Sequence, residues 1–272
     1  MTTTQPATTP PSPFPSVFVS HGAPTLIIED SPGRHFLAGL GKRLGRPSAV
    51  IAVSAHWTTD APAISGAVQP ETVHDFHGFP RALYAMRYTA PGAPALADRV
   101  RDLTGAAVVP EQGLDHGAWV PMMLMYPEAD IPVAQLSVQP GASAADHIAL
   151  GRALAPLRRE GVLVLGSGGA VHNLGDFRFG ESGVAGWAEG FASWLDGVLT
   201  AGDAQALADW KVLCPQAKAA HPTDEHFLPL PVAFGAAGDG LRTERLHAGF
   251  EHGSIGMQAY AFHGEPAGHP TV

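Results

Sequence analysis

Three apolar, β-branched runs that each close beside a histidine constrain this chain more than any other feature. Ser16-Val17-Phe18-Val19-Ser20 leads into His21. Ala49-Val50-Ile51-Ala52-Val53-Ser54-Ala55 leads into His56. Val162-Leu163-Val164-Leu165-Gly166 stands a few residues before His172. Runs of this length and composition read as buried strands. Helical patterns separate them, and strands alternating with helices predict an α/β fold: a single domain with a mostly parallel central sheet flanked by helices. In an open sheet of that kind the carboxyl ends of the strands converge on one crevice, where ligands bind. Histidines far apart in sequence meet there, and neutral imidazole is the commonest protein ligand for divalent transition metals. The pattern therefore predicts a metal site at the carboxyl ends of the strands.

The remaining periodicity fills in the elements. Residues 36–44 read as a helix with Leu37, Leu40 and Leu44 on one face. Strands are expected at 63–68, 106–109 and 133–138. Helices are expected at 80–86, 95–103, 144–159 (distorted late by Pro156), 186–199, 204–207 and part of 225–237. Pro121 is read as opening a helix over 121–125. Residues 246–250 and 258–262 are read as edge strands. The glycine run Gly166-Ser167-Gly168-Gly169 lacks the lysine of a phosphate-binding loop and is read as a tight turn before His172. No GxGxxG turn follows the first strand, which argues against a dinucleotide site.

Composition enters mainly by exclusion. A net charge of −9 argues against a polyanion-binding surface. The pairs Lys42-Arg43 and Arg158-Arg159 read as solvated helix faces, so no nucleic-acid partner is expected. No apolar stretch approaches the ~20 residues that span a bilayer, so no membrane partner is expected. The single cysteine, Cys214, forbids an internal disulfide and reads as a packing residue. A cytoplasmic location is the expectation that fits. Residues 1–15, rich in Thr and Pro, read as a flexible leader without secretory-signal features. Residues 16–272 read as one catalytic α/β domain. No heptad pattern speaks to oligomeric state.

Five segments carry candidate chemistry: Ser20-His21-Gly22-Ala23-Pro24, Ser54-Ala55-His56-Trp57, Asp115-His116-Gly117-Ala118-Trp119, Gly169-Ala170-Val171-His172-Asn173-Leu174 and Asp224-Glu225-His226-Phe227-Leu228-Pro229. Singly each is weak, because an isolated histidine is more often a satisfied surface or core residue than a ligand. His35, His147, His247, His252, His263 and His269 take that plain reading. His74 and His77 belong either to a solvated turn or to a loop over the pocket. His221 is read as shaping the entry to a following helix. Asp115 and Asn173 are either partners that fix imidazole tautomers or turn caps. Trp57 and Trp119 either wall a pocket or fill the core.

Taken together and in this order, the five segments resemble the class III extradiol ring-cleavage dioxygenases, in particular the DOPA 4,5-dioxygenase-like branch. The resemblance runs from about Ser16 to Phe262. It implies a non-haem metal held by His21, His56 and His226, with Glu225 as the alternative to His226 because related enzymes place a carboxylate at that position. It implies His172 beside the metal, as acid/base or as a fourth ligand in a zinc form, and His116 contacting substrate. The implied cofactor is one divalent metal per chain, Fe(II) for turnover with Zn(II) as an as-purified occupant. The implied partners are a small aromatic diol and O2, and the implied product is a ring-opened semialdehyde.

The reaction needs such residues. A catechol chelates a metal through two adjacent oxygens while dioxygen needs a vacant position, so the protein supplies about three ligands and leaves one face open. A base must take a phenolic proton and an acid must assist O–O cleavage, roles suited to imidazole with its unperturbed pKa of about 6.5. Arg81, Arg87 and Arg178 are candidates to grip a substrate carboxylate. Two other readings share the residues: a zinc-dependent hydrolase on a related scaffold, and a non-catalytic metal- or phenol-binding protein.

Overall fold

A computed structural model describes residues 13–177 and 183–265 of the chain. Most of the expected leader, residues 1–12, lies outside them, as does Arg178. The strands are β1 (Ser16–Ser20), β2 (Ala49–Thr58), β3 (Ala63–Ser65), β4 (Ala107–Val109), β5 (Val133–Val138), β6 (Val162–Gly168), β7 (Asp239–His247), β8 (Phe250–Glu251), β9 (Ile255–Gly256) and β10 (Ala259–Glu265). Eight of them form one sheet in the order β4-β3-β5-β2-β6-β1-β10-β7, while β8 and β9 make a separate short ladder. The centre, β5-β2-β6-β1, is parallel throughout. Antiparallel pairs join β3 to β5, β10 to β1 and β7 to β10. The mostly parallel α/β sheet expected from the alternation of strands and helices is thus present.

The central strands are buried on both faces, and their residues alternate between two cores with the period of two that a strand imposes. Val17, Val19, Val50, Ala52, Leu163 and Leu165 face one layer, packed with Leu37 and Leu40 of the helix Pro32–Leu44 and with Trp119 and Met122 of the helix His116–Met125. Phe18, Ile51, Val53 and Val164 face the other. There they meet Ile148 and Leu154 of the helix Ala144–Leu154, Val232 and Phe234 of the helix Pro229–Gly235, and Phe191 of the helix Gly186–Ala201. Among the described residues no helix is long and apolar enough to cross a membrane.

Several expectations are corrected. The helix expected at Pro121 starts five residues earlier, at His116, because the Asp115 carboxylate caps it by accepting from Ala118 N at 3.2 Å. Pro121 is therefore internal. The edge strand expected at 258–262 is instead interior, since β10 pairs with both β1 and β7. The edge falls to β7. The helix expected over 144–159 gives way at Ala155 to a 3-10 turn containing Pro156. Arg158 is not on a solvated face. It is 1% exposed, donates to the carbonyls of Phe14 and Ala236 at 2.5 and 2.9 Å, and also donates to that of Ala237. It ties residue 14 of the expected leader to the end of the helix Pro229–Gly235. Two other histidines assigned plain roles are also buried: His147, and His221 within a box of Phe191, Trp210 and Phe227.

Candidate metal centre

Each histidine reaches the top of the sheet by a local device. His21 continues β1 by one residue, donating its backbone N–H to Gly168 O at 3.0 Å. Gly22 then turns the chain away at φ +63°, a conformation that favours glycine. His56 lies within β2, two residues past its last pairing with β6 at Ser54, where the ladder with β5 is also irregular between Val53 and Thr58. His116 opens its helix behind the Asp115 cap. That cap is anchored by the hydroxyl of Ser54 at 2.6 Å and by the Gln135 carboxamide.

His226 is placed by the glycine run at the end of β6. A Cβ on Gly168 would stand 2.2 Å from the His226 carbonyl, and Gly169 N donates to that same carbonyl at 2.9 Å. Gly166, Gly168 and Gly169 all have negative φ. The run therefore serves the close approach of another segment, and the tight turn expected there is not formed.

These devices bring three imidazole nitrogens together. His56 Nε2 lies 3.1 Å from His21 Nε2 and 3.2 Å from His226 Nε2. Two donors on one ion with metal–nitrogen bonds near 2.1 Å stand roughly 3.0–3.4 Å apart, so the spacing fits a common ion. The opposite edge of each ring is engaged. His21 Nδ1 meets Ser167 Oγ at 3.0 Å, His56 Nδ1 meets Asp75 Oδ2 at 3.3 Å, and His226 Nδ1 meets Glu225 Oε1 at 3.1 Å. Two of these partners are carboxylates, which only accept, so they draw the proton to Nδ1 and leave Nε2 as a bare lone pair. Lone pairs converging at this distance repel one another unless a cation sits among them. The donor set thus fits a divalent metal.

Burial disfavours positive charge here. It pushes His21 and His226 well below the usual imidazole range, helped by neighbouring imidazoles, chiefly His56 and His172 respectively. His56 falls to about 3, mainly through burial and the nearby His116, with Asp75 opposing. Asp75 would be raised by burial, yet its hydrogen bonds and charge interaction with His116 bring it down to about 2. Neutral histidines beside an ionised carboxylate are the protonation states a metal requires.

Of the two residues at the third position, His226 points its Nε2 into the cluster. Glu225 stands behind the ring and is itself held by the Thr223 hydroxyl at 2.9 Å. His116 lies beside His56, their ring centroids 3.8 Å apart, and its Nδ1 contacts Asp75 at 2.9 Å. His172 stacks face to face on His226 at 3.5 Å, and burial lowers it to about 4.

A cavity of about 210 Å³ opens over the cluster, walled by Phe76, Phe79, Leu174, Phe177 and Ile255 and reaching His252. The tryptophans do not line it. Trp119 is fully buried with its indole N–H on Val73 O at 3.0 Å, and Trp57 is half-buried elsewhere. Asp115 is a helix cap. Asn173 clamps its loop by donating to Ala219 O at 2.7 Å and accepting from Gly175 N. Arg81 and Arg87 lie outside the cavity, Arg87 being spent on the carbonyls of Tyr84 and Met86 at 2.7 Å.

Sequence reasoning missed Asp75, Ser167 and the phenylalanine walls. Asp75 had a signal, since it sits between His74 and His77 in a segment singled out for its histidines. Ser167 had none beyond its place among glycines.

Comparison with known proteins finds relatives along most of the chain. Residues 15–263 match the family model described as the catalytic LigB subunit of aromatic ring-opening dioxygenase. The chain is 44% identical over 254 residues to a 4,5-DOPA dioxygenase extradiol of Beta vulgaris, covering 90% of this chain and 95% of that protein. It is 39% identical over 252 residues to a 4,5-DOPA dioxygenase extradiol of Escherichia coli K12, covering 90% and 93%. A crystal structure of an uncharacterized Escherichia coli K12 protein superposes with a TM-score of 0.78 at 35% identity, covering 91% of this chain and 99% of that one.

Proposed function

We infer the chemistry of this centre from one premise: the chain belongs to the family of the catalytic LigB subunit of aromatic ring-opening dioxygenases. It is a non-haem metal enzyme of the extradiol class, taking a catechol-type substrate and O2. The substrate we propose is DOPA or a catechol of similar size, opened to a semialdehyde. The metal we propose for turnover is Fe(II), with Zn(II) able to occupy the same donors.

His21, His56 and His226 hold the metal in this reading, with Glu225 orienting His226 and Asp75 orienting both His56 and His116. The observation that carries it is the convergence of three Nε2 atoms at 3.1 and 3.2 Å with every Nδ1 engaged behind them. When bound, the metal supplies a Lewis-acidic, redox-active centre that catecholate and dioxygen share. His172, kept neutral by burial and facing the cavity, accepts the phenolic proton and returns it as the ring opens. His116, held by Asp75, presents its free edge to substrate oxygen. Phe76, Phe79 and Phe177 enclose the aromatic ring and keep water from the reacting face.

The test is oxygen uptake. Protein reconstituted anaerobically with Fe(II) should consume oxygen and form a yellow product when a catechol is added, and Zn(II) protein should not. Oxygen uptake by neither form, with hydrolysis of an ester or amide by the zinc form, would overturn the reading in favour of a hydrolase.

A further inference from the structure

We propose that Ser167 is a positioning residue that locks His21 in the tautomer able to bind metal, and that Pro121 is what gives it this power. The inference rests on His21 being a ligand. Unlike His56 and His226, His21 has no carboxylate behind it. Its Nδ1 faces a hydroxyl at 3.0 Å, and a hydroxyl can either donate or accept. Alone, the serine would therefore leave the tautomer open. A donating hydroxyl would put the proton on Nε2, where it blocks coordination.

The helix His116–Met125 closes that choice. Its Gly117 carbonyl should accept from the backbone N–H four residues on, but that residue is Pro121, which has none. The carbonyl is buried in the upper core, and a buried acceptor left without a donor is costly. Ser167 Oγ supplies the bond to Gly117 O. A carbonyl can only accept, so the single hydroxyl proton is committed there and the oxygen is left to accept from His21 Nδ1–H. Nε2 is then bare and turned to His56 Nε2. Gly117 belongs to the same device. A Cβ there would meet Ser54 Oγ at 2.5 Å and the His56 ring at 3.0 Å, so only glycine lets this carbonyl come so close to the cluster.

Full-length, metal-free protein labelled with nitrogen-15 at histidine reports the tautomer directly through two-bond proton–nitrogen correlations. His21 should carry its proton on Nδ1. Chelator competition with Zn(II) as the probe should show Ser167→Ala weaker by roughly 10- to 100-fold, the range for loss of a residue that orients a ligand, with His21 spread over both tautomers. Ser167→Thr, which keeps the hydroxyl, should recover most of that affinity. A purely structural serine would alter unfolding without moving the tautomer.

A wild-type His21 protonated on Nε2 overturns the proposal, and this measurement needs no variant to fold. So does a folded Ser167→Ala protein that binds Zn(II) as the wild type does. If instead His21→Ala binds Zn(II) as tightly as wild type, the ligand assignment fails, which is a separate outcome.

Discussion

Asp75→Asn is the sharpest perturbation of this centre, because it removes a charge and changes almost no volume. One oxygen of Asp75 accepts from His116 N at 3.0 Å and from His116 Nδ1 at 2.9 Å. The other lies 2.9 Å from His116 Nδ1 and 3.3 Å from His56 Nδ1. A carboxamide has only one accepting atom. Its oxygen belongs on the His116 side, where two donors converge, so the NH2 group must face His56. Donor then meets donor, and His56 relieves the clash by moving its proton to Nε2, the atom needed for the metal.

The cost in metal affinity should be roughly 10- to 100-fold, or about 1.4 to 2.7 kcal/mol. Asp75→Ala should lose less, since the space is partly open to solvent and water can accept from both rings. Zn(II) affinity by chelator competition, at fixed pH and salt, reads the effect. An Asp75→Asn protein within twofold of wild type, or an alanine variant weaker than the asparagine one, would refute the reasoning.

Five further outcomes are expected. His226→Ala should lose Zn(II) on gel filtration while Glu225→Ala keeps it with weakened affinity, and the reverse order would make Glu225 the ligand. His172→Ala should retain full metal content yet turn over about 100-fold or more slowly in oxygen uptake. His35→Ala, whose ring pairs with Asp30 at the surface, should match wild type in the same assay. Gly168→Ala should destabilise the fold by about 1–3 kcal/mol in urea, because the new Cβ drives the His226 carbonyl away, and should weaken Zn(II) binding with it. Metal-free protein should lose stability as pH falls below about 6.5, the unfolded value. Burial lowers His147, and lowers His221 to about 3, so the unfolded chain takes up these protons first; the stability they confer is present above 6.5 and lost as pH falls toward the folded values. Equal urea midpoints at pH 7.5 and 5.5 would contradict this.

The strands, the helical connections and the meeting of His21 and His56 were legible in the sequence, because hydrophobic alternation is a local property and each of these two histidines closes a buried run; His226 entered only through the family resemblance. The parallel centre of the sheet followed from the order of elements alone. What surrounds these histidines was not legible. Ser167 is 146 residues from His21, and Asp75 serves His116 from 41 residues away. Gly168 and Gly166 of β6 are needed because of carbonyls that arrive from residues 226 and 229. Trp119 read equally as a pocket wall or as core; the helix that His116 opens turns it into the core, and Phe76 and Phe79 form the wall. Sequence determined which imidazoles meet. Only packing decided which nitrogen of each ring holds the proton, because a tautomer is set by hydrogen-bond partners that the chain brings together from distant segments.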